Sequence, residues 1–281
     1  MRILPVESVP LIERQHIREG IFRSQTLLTG TAGAPDNFSL QLVSLPGVYN
    51  SPRHRHNFDQ VRWQIEGEFD FSHDGLMRPG TIAYFPEGTR YGPQRSRVPT
   101  TTLVLQFGGA SGSGFISAEE YEHARVELSK SGSFAGGVYT RAAGDGKNSQ
   151  DAYEAVWEQV NGRPLEYPEP RYARPVFMEP AHFDWVPQAA TGTSRKLLGV
   201  FSGHGTRLAM FRAATGAVLP LEDHALYFIH AGSGSVNGKE FAARAVMQVD
   251  RGEEAILTAR ADTELLQLGL PRIAGARTEP V

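Results

Sequence analysis

Between Phe38 and Phe107 the chain is a series of short apolar or alternating runs, FSLQLVSLPG, DQVRWQIEGEFDFSHDG, GTIAYFPEG and TTLVLQFGG, broken by glycine, proline and Asp-Gly. Runs this short, with a period of two, leave no room for a long helix and read as antiparallel strands of a sandwich or barrel. His73-Asp74-Gly75 reads as a hairpin tip. The same texture returns from Lys196 in KLLGVFSG, TRLAMFRAATG, ALYFIHAGSGSVNG, RAVMQVDRGEEAILTA and TELLQLGLP.

The two β-rich stretches share landmarks in the same order. Gly67 corresponds to Gly232, Pro86-Glu87-Gly88 to Asp250-Arg251-Gly252, and TLVLQFG to TELLQLG, which sets Gln106 against Gln267. An ordered set of matches of this kind is the mark of a duplicated unit.

Between them the pattern changes. GGASGSG leads into ISAEEYEHARVELSK, where Ser117 and Glu120 have the spacing of a capping box ahead of a helix. In SQDAYEAVWEQV, Ser149 is the expected N-cap, and Ala152, Tyr153, Val156, Trp157 and Val160 share one face at helical spacing. Six prolines from Pro164 to Pro187 then predict an extended connector that wraps a surface. The glycine-rich runs GGASGSG and GSGSVNG lack the strand-to-helix context of a nucleotide loop and are read as linker and turn. The expected organisation is a first β-barrel over 1–108, a helical and proline-rich connector over 109–190, a second barrel over 191–273 and a loose tail over 274–281.

Composition narrows the chemistry. With 281 residues, 28 Lys+Arg against 31 Asp+Glu and a formal charge of −3, the chain carries no basic patch that would hold a nucleic acid or an anionic membrane. No run approaches the roughly 18 apolar residues of a membrane span, and the charged, proline-containing start is not a secretory leader, so a cytoplasmic protein is expected. The chain has no cysteine, so any metal would be held by nitrogen and oxygen.

The sharpest local feature is PRHRHNFDQ. On a strand, His54 and His56 would point to the same face and converge as a divalent metal requires, with Gln60 following. Alternation then places Arg62 and Gln64 on the interior face with Gln60, and Val61, Trp63 and Ile65 on the other. A guanidinium inside a barrel is costly unless partnered. Arg62 is therefore either an anchor for a substrate carboxylate or enolate or half of an ion pair with Asp59 or Glu66.

Gly47, His54-x-His56, Gln60 and Gly67, followed by Gly80, Pro86 and Gly88, resemble the two motifs of the cupin superfamily. The resemblance is strong from Gly47 to Phe107 and, through the repeat, weaker from Lys196 to Pro271. It implies a mainly β chain with two jelly-roll barrels, a bicupin. It also implies one divalent metal ion per chain, iron first, with manganese, nickel or zinc as alternatives, held by His54, His56, Gln60 and Tyr91. Two positions depart from the family pattern: Gln60 stands at the acidic ligand and Tyr91 at the last histidine. An amide is a weaker oxygen ligand than a carboxylate, and a phenol, with a reference pKa of about 10, binds well only once deprotonated. Tyr91 is thus a phenolate ligand or a proton donor.

Carried through the repeat, the positions of His54, His56, Gln60 and Tyr91 become Leu219, Leu221, Ala225 and Ala255, so one metal site per chain is expected. His224 and His230 are read as structural. The expected activity is oxygenase or dioxygenase chemistry on a small oxygenated, anionic substrate. Arg62 and Tyr91 would be catalytic, and Gln64, Gln106 and Tyr84 would line the substrate cavity beside Arg62. The alternatives are a redox-neutral isomerase or lyase using Tyr91 as acid or base, and a non-catalytic small-molecule binder. A homodimer is implied by the resemblance alone.

Overall fold

The computed structural model describes residues 1–15, 21–108, 115–142, 148–201 and 205–273; the linker run 109–114 and the tail 274–281 lie outside them. Two compact units divide the chain. The histidine-bearing unit is Leu11–Ser24 with Thr29–Phe177, and the C-terminal unit is Met1–Pro10, Gln25–Leu28 and Met178–Val281. Among the described residues, no helix is long and apolar enough to cross a membrane.

One seven-stranded sheet, built mostly from the histidine-bearing unit, orders Val176–Met178, Ile82–Phe85, Asp59–Glu66, Thr100–Phe107, Phe38–Leu45, Ile21–Thr29 and Ile12–Gln15. A four-stranded sheet orders Tyr49–Ser51, Gln94–Ser96, Phe69–Asp70 and Leu76–Met77. Leu45, Tyr49, Phe69, Phe71, Met77, Phe85 and Tyr91 form one core cluster drawn from both sheets.

The C-terminal unit repeats this order. Its seven-stranded sheet runs Arg2–Pro5, Ala245–Val249, Ala225–Ala231, Thr263–Gly269, Thr206–Ala213, Thr193–Phe201 and Val186–Pro187, and its four-stranded sheet runs Val218–Leu221, Ala255–Ala259, Ser233–Val236 and Lys239–Ala242. Gly67 and Gly232 occupy the same place in the two orders. Both have positive φ, +69° and +94°, and a Cβ on either would collide with the start of the last strand, at Pro99 O (2.2 Å) or Asp262 O (2.5 Å). Only glycine permits that approach.

Three sequence expectations change. The first ten residues do not group with the first β-rich stretch, because Arg2–Pro5 pairs with Ala245–Val249 at the edge of the C-terminal unit. The segment expected as a separate connector belongs largely to the histidine-bearing unit, which extends to Phe177. The last strands align two residues away from the motif match. Gln106 pairs with Gln60, whereas Gln267 pairs with Tyr227, two residues past Ala225, the counterpart of Gln60. The repeated letters TLVLQFG and TELLQLG therefore stand out of step by two residues in the two sheets, although both pairings carry a register shift at the equivalent place.

Helix α1 (Ala118–Ser129) has the capping box read from the sequence: Ser117 Oγ accepts from Glu120 N, and Glu120 Oε2 accepts from Ser117 N. Helix α2 (Ala152–Asn161) is capped by Asp151, whose Oδ1 accepts from the backbone of Tyr153 and Glu154. Ser149 instead lies in the strand Ser149–Asp151. The apolar face of α2 is buried, with Val156 and Trp157 fully enclosed in a cluster with Phe58, Ile116 and Ala124.

The interiors of the two units differ. Leu219, Leu221, Ala225 and Ala255 sit in an apolar cluster with Tyr227, Ile229, Met247 and Leu265. Burying each large side chain there contributes roughly 1.5–3 kcal/mol. His224 is tied to Pro271 O through Nε2 at 2.9 Å. In the histidine-bearing unit the same strand carries Gln60, Arg62 and Gln64, while Val61 and Trp63 point the other way and are buried with Leu103 and Leu105.

Candidate functional site

The strand Asp59–Glu66 begins only after the histidines. His54 forms an isolated antiparallel bridge with Tyr91 (His54 N to Tyr91 O 3.1 Å, Tyr91 N to His54 O 2.9 Å), and two residues on, His56 O accepts from Gly88 N at 2.8 Å. The two imidazoles are brought together outside the named strand. They meet edge to face, with centroids 5.0 Å apart, and the Tyr91 ring lies 4.7 Å from His54 and 5.9 Å from His56. A clamp sets this geometry: Arg53 pairs with the buried Asp74 at 2.8 Å and donates to Gly92 O, while Gly92 N donates to the same Asp74 Oδ2. The turn Ser72–Asp74 thus fixes the segments that flank both His54 and Tyr91.

One hydrogen-bonded chain orders the interior. Arg62 donates through Nε (3.0 Å) and Nη2 (2.8 Å) to Gln60 Oε1, through Nη1 to Gln94 Oε1 (2.7 Å), and through Nη2 to Tyr91 Oη (3.3 Å). Because Gln94 Oε1 is the acceptor for Arg62, the Gln94 amide nitrogen donates to His54 Nε2 at 3.2 Å. His54 Nε2 is then an acceptor, and Nδ1–H donates to Pro52 O at 2.7 Å. Each assignment supports the next, and His54 is the neutral Nδ1–H tautomer.

Arg62 is half-buried, and among the described residues its hydrogen-bonding partners are all neutral. The ion pair that was one reading of Arg62 does not form: Asp59 is paired with Arg171, and Glu66 accepts from Thr101. The guanidinium also lies 4.8 Å from the Phe85 ring centroid and 5.5 Å from that of Phe71. Gln60 is 1% exposed, and its Nε2 is a buried donor with no hydrogen-bond acceptor among the described residues.

This donor set does not fit a divalent metal in its present arrangement. The only oxygen of Gln60 that could bind a cation already accepts two hydrogen bonds from Arg62, and the Tyr91 oxygen accepts a third. A guanidinium keeps its charge across the physiological range. A second cation on the same oxygens would meet its repulsion. No group of three or more His, Cys, Asp or Glu side chains able to hold a metal occurs among the described residues.

Other expected site residues are sorted by strand alternation. Gln106 pairs with Gln60 and shares its face, half-buried. Gln64 faces the interior, but its amide is closed on Thr102 Oγ1 and Glu66 O. Tyr84 leaves the site altogether: it pairs with Val61, so its side chain lies on the opposite face, where its hydroxyl donates to Asp59 Oδ2 at 2.8 Å. Burial and the neighbouring Asp59 carboxylate push the Tyr84 phenol far above its ordinary range.

That opposite face holds a cluster the sequence did not reveal. Arg171, in the proline-rich segment, pairs with Asp59 (3.0 Å) and Glu87 (2.6 Å) and donates to Tyr84 Oη (3.1 Å). Gly88 lets the segment approach, since a Cβ there would lie 2.3 Å from Pro168 O. Gln94 was also missed; its signal is the short YGPQRS run, where it follows Tyr91 by three residues on a strand facing the interior.

No protein-family model and no curated protein matches the sequence. Solved structures do. A dioxygenase candidate from Nostoc punctiforme matches with a TM-score of 0.60 and 10% identity, covering 100% of this chain and 87% of that one. Oxalate decarboxylase from Bacillus subtilis matches with a TM-score of 0.54 and 13% identity over 96% of this chain and 76% of its own. The fold is the cupin fold. The cupin-fold neighbours also include the pirin YhhW from Escherichia coli, solved in complex with nickel(II), with a TM-score of 0.55 and 8% identity over 97% of this chain and 99% of that one. At these identities the likeness speaks for the cupin architecture alone.

Proposed function

We propose that the histidine-bearing unit is a cupin-type enzyme that binds a small oxygenated anion, a carboxylate or enolate, at Arg62 and performs redox-neutral proton transfer on it through Tyr91. The observation that carries this reading is the buried Gln60 Nε2 without an acceptor beside a guanidinium that meets no carboxylate. An anionic oxygen entering there would accept from Gln60 and gain the charge of Arg62, with both donors already positioned.

Tyr91 accepts from Arg62, so its own hydrogen is directed away from the guanidinium. It can donate to an enolate and recover the proton in the reverse step, which is isomerase or lyase chemistry. His54 is held as an acceptor by Gln94 and serves to orient that amide, which in turn holds Arg62.

The test combines metal analysis of untagged protein with binding and turnover of small carboxylates under argon. Binding that requires Arg62, turnover that requires Tyr91 and substoichiometric metal are expected. One equivalent of a divalent ion with substrate-dependent oxygen uptake would overturn this reading in favour of an oxygenase in which His54 and His56 hold the ion. Binding without turnover would leave a non-catalytic cupin.

A further inference from the structure

We infer that the ligand of this site is a small hydroxylated monocarboxylate whose hydroxyl group is read by Gln106; the inference rests on the anion reading of Arg62 given above. Register fixes which side chains are neighbours. Across three adjacent strands, Gln60 stands beside Gln106, which stands beside Ser39, and in the next row Arg62 stands beside Val104, which stands beside Gln41. Side chains paired in this way lie on one face of the sheet. That face is the one on which Gln60 and Arg62 meet.

Burial shows which side of the sheet solvent reaches. Gln41, Arg62, Val104 and Gln106 are half-buried, whereas the residues alternating with them, Leu40, Leu42, Val61, Leu103 and Leu105, are almost fully enclosed. Solvent thus reaches the interior face at Gln41, Arg62, Val104 and Gln106, while Ser39, Gln60 and Gln64 beside them are enclosed.

The charge on that face limits the ligand. Among the described residues of these rows the guanidinium of Arg62 stands next to neutral amides and the Ser39 hydroxyl, so a single carboxylate is compensated. A second carboxylate would be placed among groups that supply hydrogen bonds but no charge, at a desolvation cost that neutral partners do not repay. A carboxamide both donates and accepts, as a hydroxyl does. Gln41 is steadied for this role by its bond to Ser39 Oγ at 2.9 Å. Adjacent strands lie about 4.8 Å apart, so a carboxylate seated at Gln60 and Arg62 brings a hydroxyl one or two carbons away within reach of Gln106.

Three acids of equal carbon count separate the possibilities: glycerate, propionate and malonate, titrated into the full-length protein by calorimetry. Glycerate is expected to bind about five- to tenfold more tightly than propionate, and malonate more weakly than glycerate. Gln106→Leu should remove the preference for glycerate while leaving propionate affinity unchanged, and Gln106→Glu, which adds a negative charge beside the anion, should weaken all three. Equal affinity for glycerate and propionate, unaltered in Gln106→Leu, would overturn this inference and leave the anion reading intact. If none of the acids binds, or if Arg62→Met binds them as well as the wild type, the anion reading fails and takes the inference with it.

Discussion

Arg62 grips Gln60 through two hydrogen bonds to a single oxygen, at 3.0 and 2.8 Å, although the two residues are neighbours on the same face of one strand. The carbonyl end of Gln60 is thereby committed, and its buried amide nitrogen meets no acceptor among the described residues. A glutamate at position 60 would neutralise Arg62. A glutamine leaves the positive charge available to a ligand.

Replacing Arg62 by Met tests whether this charge is structural. The variant strips donors from Gln60 and Gln94 but also removes a half-buried cation that has no carboxylate partner among the described residues, and these effects oppose each other. Unfolding free energy is expected to change by less than about 2 kcal/mol, while carboxylate affinity falls about tenfold to a hundredfold. Collapse of the fold in a urea titration would instead assign Arg62 a structural role.

Arg171→Met should behave in the opposite way. Asp59 and Glu87 are each 1% exposed, and Arg171 is the cation that pairs with both. Its removal leaves buried carboxylates uncompensated, at a cost of about 3–5 kcal/mol. Chemical denaturation at a pH of about 8 measures this; a loss below about 1 kcal/mol would show the cluster to be more solvated than its burial implies.

The same cluster makes stability pH-dependent. Burial raises the Asp59 carboxyl from 3.8 to about 6, with Arg171 pulling it down. Between these values the folded chain holds a proton that the unfolded chain releases. Its contribution is therefore complete below about 3.8 and is lost as pH rises through about 6. A shift of this size corresponds to about 3 kcal/mol. Asp59→Asn lacks this titration, so the wild type should lose up to that amount relative to the variant as pH is raised over this window. Parallel stability profiles for the two proteins would rule out the assignment.

Helix α2 offers a simpler check. Asp151→Ala should destabilise the protein by about 1 kcal/mol because two backbone donors lose their acceptor, whereas Ser149→Ala should leave thermal unfolding nearly unchanged. Equal effects would contradict Asp151 as the cap.

Some of this was legible in the residues themselves. The period-two runs and their turn residues identify a β protein, Gly67 and Gly232 mark the repeat, and the Ser117–Glu120 spacing contains the start of α1, because all three depend on local backbone preferences. The interior placement of Gln60, Arg62 and Gln64 is likewise a consequence of alternation along one strand. Arg171 and Gln94 were not legible. Arg171 meets Asp59 across a separation of 112 residues, and no local pattern announces such a partner.

The sequence by itself determined the kind of sheet, the residues that share its faces, and the absence of any thiolate, since these follow from composition and from the geometry of a single strand. Only the tertiary structure decided what the inward-facing groups do. Whether Gln60 and Tyr91 offer their oxygens to a metal depends on where Arg62 points, and that direction is set by Gln94, contributed by a different sheet. Hydrogen bonds across the interior are satisfied by groups far apart in the chain, so their pairing is a property of the packed fold.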